Sequence, residues 1–407
     1  MNFILEEKIY LKEGFPDYLE YKNHYERPKG NFSNMLFKEK TMKAAVFYGK
    51  KDIRIEEIEE PKIRENDEIK IKVAWCGICG SDMEEYVSGP VVVPTTPHPL
   101  TGKTAPLVLG HEFTGEVVET GDEVTGIKVG DKVIAHPILT CNHCYWCRRE
   151  VICLCHKMAC IGLASDGGFA EYLVVPAKNC YKLPKNAPLD KLSLVEPAAT
   201  PLHALEKARV ESDSNIVIIG AGTIGLFLLQ IAKRMGIKKV IVMDIIDARL
   251  KIAKSLGASE ILNIKNRDLK TIKNFILDKI GIERIDTVFE CAGHHSAVEL
   301  SCGLADKGGK IVLIGITASF SSINTNEIVI CEKEIIGCHG YNKKIFKRTI
   351  DLVLNNEIET SQLISKKISL TNIVSEGFEE LLKNPEKHLK ILVTPFENEN
   401  NTRRRIL

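Results

Sequence analysis

The stretch NIVIIGAGTIGLFLLQIAKRMG, residues 215–236, decides the fold. It opens on a short run rich in β-branched residues, turns through three glycines and continues with helical periodicity. Gly220, Gly222 and Gly225 stand in G-x-G-x-x-G spacing. In a strand–turn–helix unit the first glycine permits the tight turn and the second lets the backbone approach a pyrophosphate. The third lets helix and strand pack closely. The helix start, which holds Thr223 and Ile224, offers unpaired N–H groups and the positive end of a dipole to phosphates. A glycine turn alone is weak evidence. Here the next apolar run, KVIVMD, ends in Asp244, roughly 20 residues on, where a dinucleotide site needs a carboxylate for the adenosine ribose hydroxyls. That carboxylate repels a 2′-phosphate, which favours NAD over NADP. Arg249, five residues later, has two readings: a cation over the adenine ribose, or a solvated charge on a helix face. Asp247 reads as a surface residue or helix cap.

Outward from this unit, compact apolar runs (TVFECAG, KIVLIGI) alternate with helical stretches from about Leu192 onward, the pattern of repeated βαβ units and a parallel sheet. Before it, from about Met42 to Pro184, short strands, glycines and turns predict a β-rich module. After Gly340 the chain reads as helical and charged, then closes with a strand at LKILVTP. Residues 1–41 are polar and tyrosine-rich, and are expected to be a flexible extension with Met42 as the natural start. Their acidic residues argue against a mitochondrial presequence. The tail ENENNTRRRIL is expected to be disordered.

The 407 residues are 44% hydrophobic and 27% charged, with a net charge of +1, so nothing points to nucleic acid or an anionic membrane as a partner. No apolar run reaches membrane-spanning length. With no secretory signal at the start, the 13 cysteines point to a cytoplasmic protein whose thiols bind metal, do chemistry or pack.

Cys141, Cys144, Cys147 and Cys155 read C-x2-C-x2-C-x7-C in a loop-rich stretch. Four thiolates from one short loop suit a closed tetrahedral zinc, a structural site. Disulfides are the alternative, but cysteines two residues apart seldom pair well. Cys153 and Cys160 are nearby rivals for the fourth place, and His143 and His156 are also local.

Cys79 in GICGSD, His111 in LGHEFTGEV and Glu196 in LVEPAA each have a bland explanation: a packed thiol, a core histidine, a helix end. Together they offer the thiolate, imidazole and carboxylate that a catalytic zinc with one open position requires. His98, His203, His294 and His295 read as structural or exposed.

The motifs GHEFTGEV, VGDKV, GGFAEY, VEPAA, GAGTIG and the four-cysteine lobe occur in an order that resembles the zinc-dependent medium-chain dehydrogenase/reductase family, over residues 42 to about 395. The long insertion EYVSGPVVVPTTPHPLTGKTAPLVLGHE is most similar to that of the butanediol dehydrogenase subgroup, with sorbitol dehydrogenases next. The resemblance implies a GroES-like catalytic domain over 42–196, completed by a return segment over 341–396. A Rossmann NAD-binding domain over 197–340 would lie between them, with a disordered tail over 397–407. It implies Cys79, His111 and Glu196 as ligands of a catalytic zinc, with Glu112 an adjacent carboxylate able to approach the metal. Asp82 would orient His111, Ser81 would take the substrate proton, and Thr200 would lie near the nicotinamide. Relatives place a histidine five residues after the zinc cysteine to end the proton relay; here that position is Glu84. The implied activity is reversible oxidation of a secondary alcohol or vicinal diol to a ketone, through a zinc alkoxide and hydride transfer to NAD. The alternatives are a sorbitol-type polyol dehydrogenase and a non-catalytic NAD-binding member. Zinc-free quinone reductases lack the four-cysteine lobe. The expected partners are a small-molecule alcohol and further copies of the chain, as a dimer or tetramer.

Overall fold

Ile216, Val217, Ile218 and Ile219 are all buried, so the strand Asn215–Ile219 is covered on both faces, the arrangement that suits a central parallel strand. The computed structural model describes residues 40–316 and 320–396. It belongs to a six-stranded parallel sheet whose strands run Glu260–Asn263, Lys239–Asp244, Asn215–Ile219, Thr287–Glu290, Lys310–Leu313, Glu334–Gly337 across the sheet. This order reverses direction at Asn215–Ile219, and the crevice at that switch point is where doubly wound sheets bind dinucleotides. The helix Thr223–Arg234 packs its apolar face on the sheet through Leu226, Phe227, Leu229 and Ile231.

The β-rich part centres on the strand Glu68–Gly77. It pairs antiparallel with Glu112–Thr120, Tyr172–Pro176 and the closing strand Lys390–Thr394. Ile69, Ile71 and Val73 alternate onto one face with Phe113 and Val117 in a shared core; each such side chain withdrawn from water contributes roughly 1.5–3 kcal/mol. Successive residues of a strand point to opposite faces, and the closing strand uses this. Ile391 and Val393 enter the β-rich core, while Leu392 enters the core beneath the parallel sheet.

The stretch after Gly340, expected to be helical until its last strand, holds one further strand. Ile364–Ser369 pairs parallel with Lys390–Thr394, and its two central lysines masked the alternation. The expectations for residues 1–41 and 397–407 lie outside the described residues, apart from Lys40 and Thr41; Thr41 already pairs with Glu59 in the first strand.

Candidate active site

Cys79 stands where the strand Glu68–Gly77 gives way to the helix Gly80–Ser88. Asp82 fixes this corner: its Oδ2 accepts the Cys79 backbone N–H at 2.9 Å. The other oxygen, Oδ1, lies 3.6 Å from His111 Nδ1, while His111 Nε2 faces Ser81 Oγ at 3.5 Å. Asp82 thus stands behind the imidazole and Ser81 in front. Gly110, at φ +98, turns the chain into position for His111, and a Cβ there would meet Cys76 Sγ at 2.8 Å; this is a left-handed conformation that suits glycine.

Ligand atoms of Cys79, His111 and Glu112 lie within 4.8 Å of one another. Glu112 is fully buried, and its Oε1 accepts from Lys390 Nζ at 2.7 Å. Its Oε2 has no hydrogen-bond partner among the described residues. Burial alone would depress the His111 pKa, but Asp82 and Cys79 outweigh it and hold the imidazole well above its usual value. A thiol, an imidazole and a buried carboxylate with a vacant oxygen therefore form a pocket that draws positive charge. That is the chemistry of a divalent cation site, and the donors suit zinc.

Glu196 stands outside this trio. It sits in the first turn of the helix Val195–Ala208, where Pro197 is tolerated because first-turn N–H groups lack helical partners. Tyr341 donates its hydroxyl to Glu196 Oε1 at 2.6 Å, and burial raises the Glu196 pKa. Thr200 follows one turn later, and Glu84 is half-buried in the helix that carries Ser81.

A second cluster lies in the loop 141–155. Sγ atoms are 3.5 Å apart for Cys144–Cys147 and for Cys141–Cys155, and 3.9 Å for Cys141–Cys147. Zinc–sulfur bonds of about 2.3 Å in a tetrahedron require sulfurs about 3.8 Å apart, so the four thiols already have the spacing of a closed zinc shell. Backbone N–H groups of Cys147 and His156 pull the Cys144 thiol down to about 5. Burial and the neighbouring thiols push Cys147 up to about 12. The rivals for the fourth place turn away: Cys153 Sγ donates to Tyr341 O and Cys160 Sγ to Ile161 O. All 13 cysteines are free thiols.

At the glycine turn, a Cβ on Gly225 would lie 1.8 Å from Gly220 O, whereas one on Gly222 would meet nothing within 4 Å. The third glycine is thus needed for packing, and the second leaves open space at the helix start. Asp244 is pinned beside it, Oδ2 accepting from Ala221 N at 2.6 Å and Oδ1 from Ile246 N at 2.8 Å. A cavity of about 710 Å³ adjoins them, lined by Gly220, Asp244, Ile245, Arg267 and His294 among others. These features fit a dinucleotide. Thr223 Oγ1 donates to Leu389 O at 3.1 Å, and half-buried Ile224 follows it in the helix. Arg249 donates Nη2 to Pro385 O at 2.7 Å, while its buried Nε has no partner among the described residues.

Sequence reasoning missed Lys390 and Tyr341. Lys390 looked like any strand lysine, and only its apolar flanks hinted at burial. His98 and His294 each accept a nearby backbone N–H, and His203 bonds Gly340 O.

Comparison with known proteins agrees with this geometry. A family model described as alcohol dehydrogenase GroES-like domain matches residues 65–185, and one described as zinc-binding dehydrogenase matches 223–355. The (R,R)-butanediol dehydrogenase of Bacillus subtilis is 36% identical, over 87% of this chain and 100% of its own length. Its crystal structure superposes with a TM-score of 0.79. The sorbitol dehydrogenase of the same organism is 30% identical, over 87% of this chain and 97% of its own. Sequence motifs, fold and relatives agree: the chain belongs to the zinc-dependent medium-chain dehydrogenase/reductase family.

Proposed function

We propose that the protein oxidises one alcohol of a vicinal diol, 2,3-butanediol foremost, to the ketone acetoin, reversibly and with NAD. The observation that carries this is the convergence of Cys79, His111 and Glu112 within 4.8 Å, with Ser81 against the imidazole. Cys79, His111 and Glu196 hold the catalytic zinc, and Glu112 is the neighbouring carboxylate able to approach it. When bound, zinc supplies a Lewis acid for negative charge developing on the alcohol oxygen, and NAD accepts the hydride. Asp82, behind His111, holds the ring's orientation. Ser81 takes the alcohol proton and passes it outward to Glu84 or water. Thr200 lies near the nicotinamide.

Gly220, Gly222, Thr223, Ile224 and Gly225 cradle the pyrophosphate, Asp244 takes the ribose hydroxyls, and Arg249 lies over the adenosine. Cys141, Cys144, Cys147 and Cys155 hold a structural zinc. We assign residues 42–196 with 341–396 to the catalytic domain and 197–340 to the NAD domain. The chain assembles as a dimer or tetramer, supported by exposed Val329 (74%) and Ile330 (77%) beside the edge strand Glu334–Gly337. The free thiols support a cytoplasmic setting. No described helix is long and apolar enough to cross a membrane.

The second reading is a polyol dehydrogenase, favoured by the 30% identity to a sorbitol dehydrogenase. The purified protein should be given each 2,3-butanediol stereoisomer, sorbitol and threonine with NAD, and its zinc counted. Turnover of a butanediol isomer with about two zincs per chain supports the proposal. Preference for sorbitol would select the second reading. Full zinc occupancy with no turnover would select a non-catalytic NAD-binding role.

A further inference from the structure

Two carboxylates, Glu112 fully buried and Glu196 half-buried, each have one oxygen tied by a different device. Lys390 Nζ takes Glu112 Oε1 at 2.7 Å, and Tyr341 Oη takes Glu196 Oε1 at 2.6 Å. The tyrosine is only 1% exposed, and its surroundings leave its hydroxyl little freedom. Its ring stacks on Phe346 with centroids 5.6 Å apart and planes 12° from parallel. His136 meets the ring edge-on at 5.1 Å. The backbone leading to it is held as well: His203 Nδ1 bonds Gly340 O at 2.7 Å, and Cys153 Sγ donates to Tyr341 O at 3.1 Å. Gly340 has φ +57, and a Cβ there would lie 2.8 Å from Cys153 Sγ. A left-handed glycine, a histidine and a cysteine hold the backbone that carries this hydroxyl to one carboxylate oxygen, while the rings only fill the space around it.

A short, charge-assisted bond fixes the carboxylate oxygen that accepts it, which leaves the other oxygen the freer one for a metal. Hydrogen-bond partners of this kind orient ligands and tune the metal. We propose that Tyr341 is a positioning residue: its hydroxyl holds Glu196 by Oε1, so that the carboxylate meets the metal through Oε2 alone and leaves the substrate's position open. Without the hydroxyl, Glu196 is free to chelate with both oxygens or to yield its place to Glu112. This rests on the reading of Glu196 as a zinc ligand given under Proposed function.

The test compares Tyr341→Phe, Glu196→Gln and the packing control Phe346→Leu in the full chain. The readouts are the affinity of the more labile metal against a chelator and the visible spectrum of the cobalt-substituted protein. Tyr341→Phe keeps the ring and removes only the hydroxyl. The expected result is metal held 10–100-fold less tightly, with shifted cobalt bands, while Phe346→Leu keeps the wild-type spectrum. Wild-type affinity and bands in Tyr341→Phe, with metal lost in Glu196→Gln, would overturn the inference and leave the ligand assignment standing. Bands shifted equally by Phe346→Leu would also overturn it, since packing would then be the cause. If Glu196→Gln itself leaves metal affinity unchanged, the ligand assignment fails and the inference falls with it.

Discussion

Lys390 lays its Nζ 2.7 Å from Glu112 Oε1 with its side chain only 4% exposed and that of Glu112 fully buried, so two charges compensate each other inside the protein. Removing one partner of such a pair strands the other in a medium that cannot solvate it, at a cost of about 3–5 kcal/mol. Lys390→Met should lose that much stability in urea unfolding. Lys390→Met combined with Glu112→Gln should recover most of it, and a double-mutant cycle measures the coupling.

Ser81 touches the imidazole and carries a hydroxyl but no charge, so its loss should be felt in proton movement and not in metal binding. Ser81→Ala should lower kcat about 100-fold or more with zinc content unchanged. Steady-state NADH formation and metal analysis, run on the same preparation, check this.

The spacing of the four thiols predicts that Cys144→Ser drops zinc from about two to about one per chain. The remaining zinc should be the one that supports turnover. A lowered thermal midpoint with residual activity is the expected outcome; complete loss of both zincs would contradict it.

Asp244 owes its position to two backbone N–H groups, and the bond to a ribose hydroxyl proposed for it would contribute roughly 1.5–3 kcal/mol. Asp244→Asn should therefore raise KM for NAD roughly 10- to 100-fold and make NADP measurable as a cofactor. Parallel kinetics with both cofactors decide it.

His136 is buried beside Tyr341 and Phe346, and burial, with a smaller effect of Lys343, lowers its pKa to about 4. An unfolded histidine takes its proton near 6.5. Between these values the unfolded chain binds a proton that the folded chain refuses. Stability is therefore full above about pH 6.5 and falls as the pH drops toward 4, by roughly 3 kcal/mol in all. Urea midpoints across that window should show the slope in wild type and a flatter one in His136→Leu.

What could be read from the chain was local. The turn at Gly220–Gly225 and the lobe at Cys141–Cys155 are each written within a short window, where period and spacing speak directly. The burial of Ile216–Ile219 followed from composition in the same way. Lys390 and Tyr341 could not be read so. Each meets its carboxylate across a long loop of chain, 278 positions for Lys390 and Glu112 and 145 for Tyr341 and Glu196, and no pattern within one strand announces such a partner. The pair of carboxylates Glu112 and Glu196 came from the family resemblance and from no local pattern, since one opens a strand and the other lies in the first turn of a helix.

The closing strand has a consequence for how the chain is made. A ribosome delivers residues in order, and the thiols of the lobe lie within 14 positions of one another, so that loop can fold around its metal while synthesis is still under way. Glu112 emerges early as well, but it must wait for Lys390, and Leu392 must arrive to join the two cores. The nascent protein therefore acquires its architecture in two instalments, and its reactive centre belongs to the second.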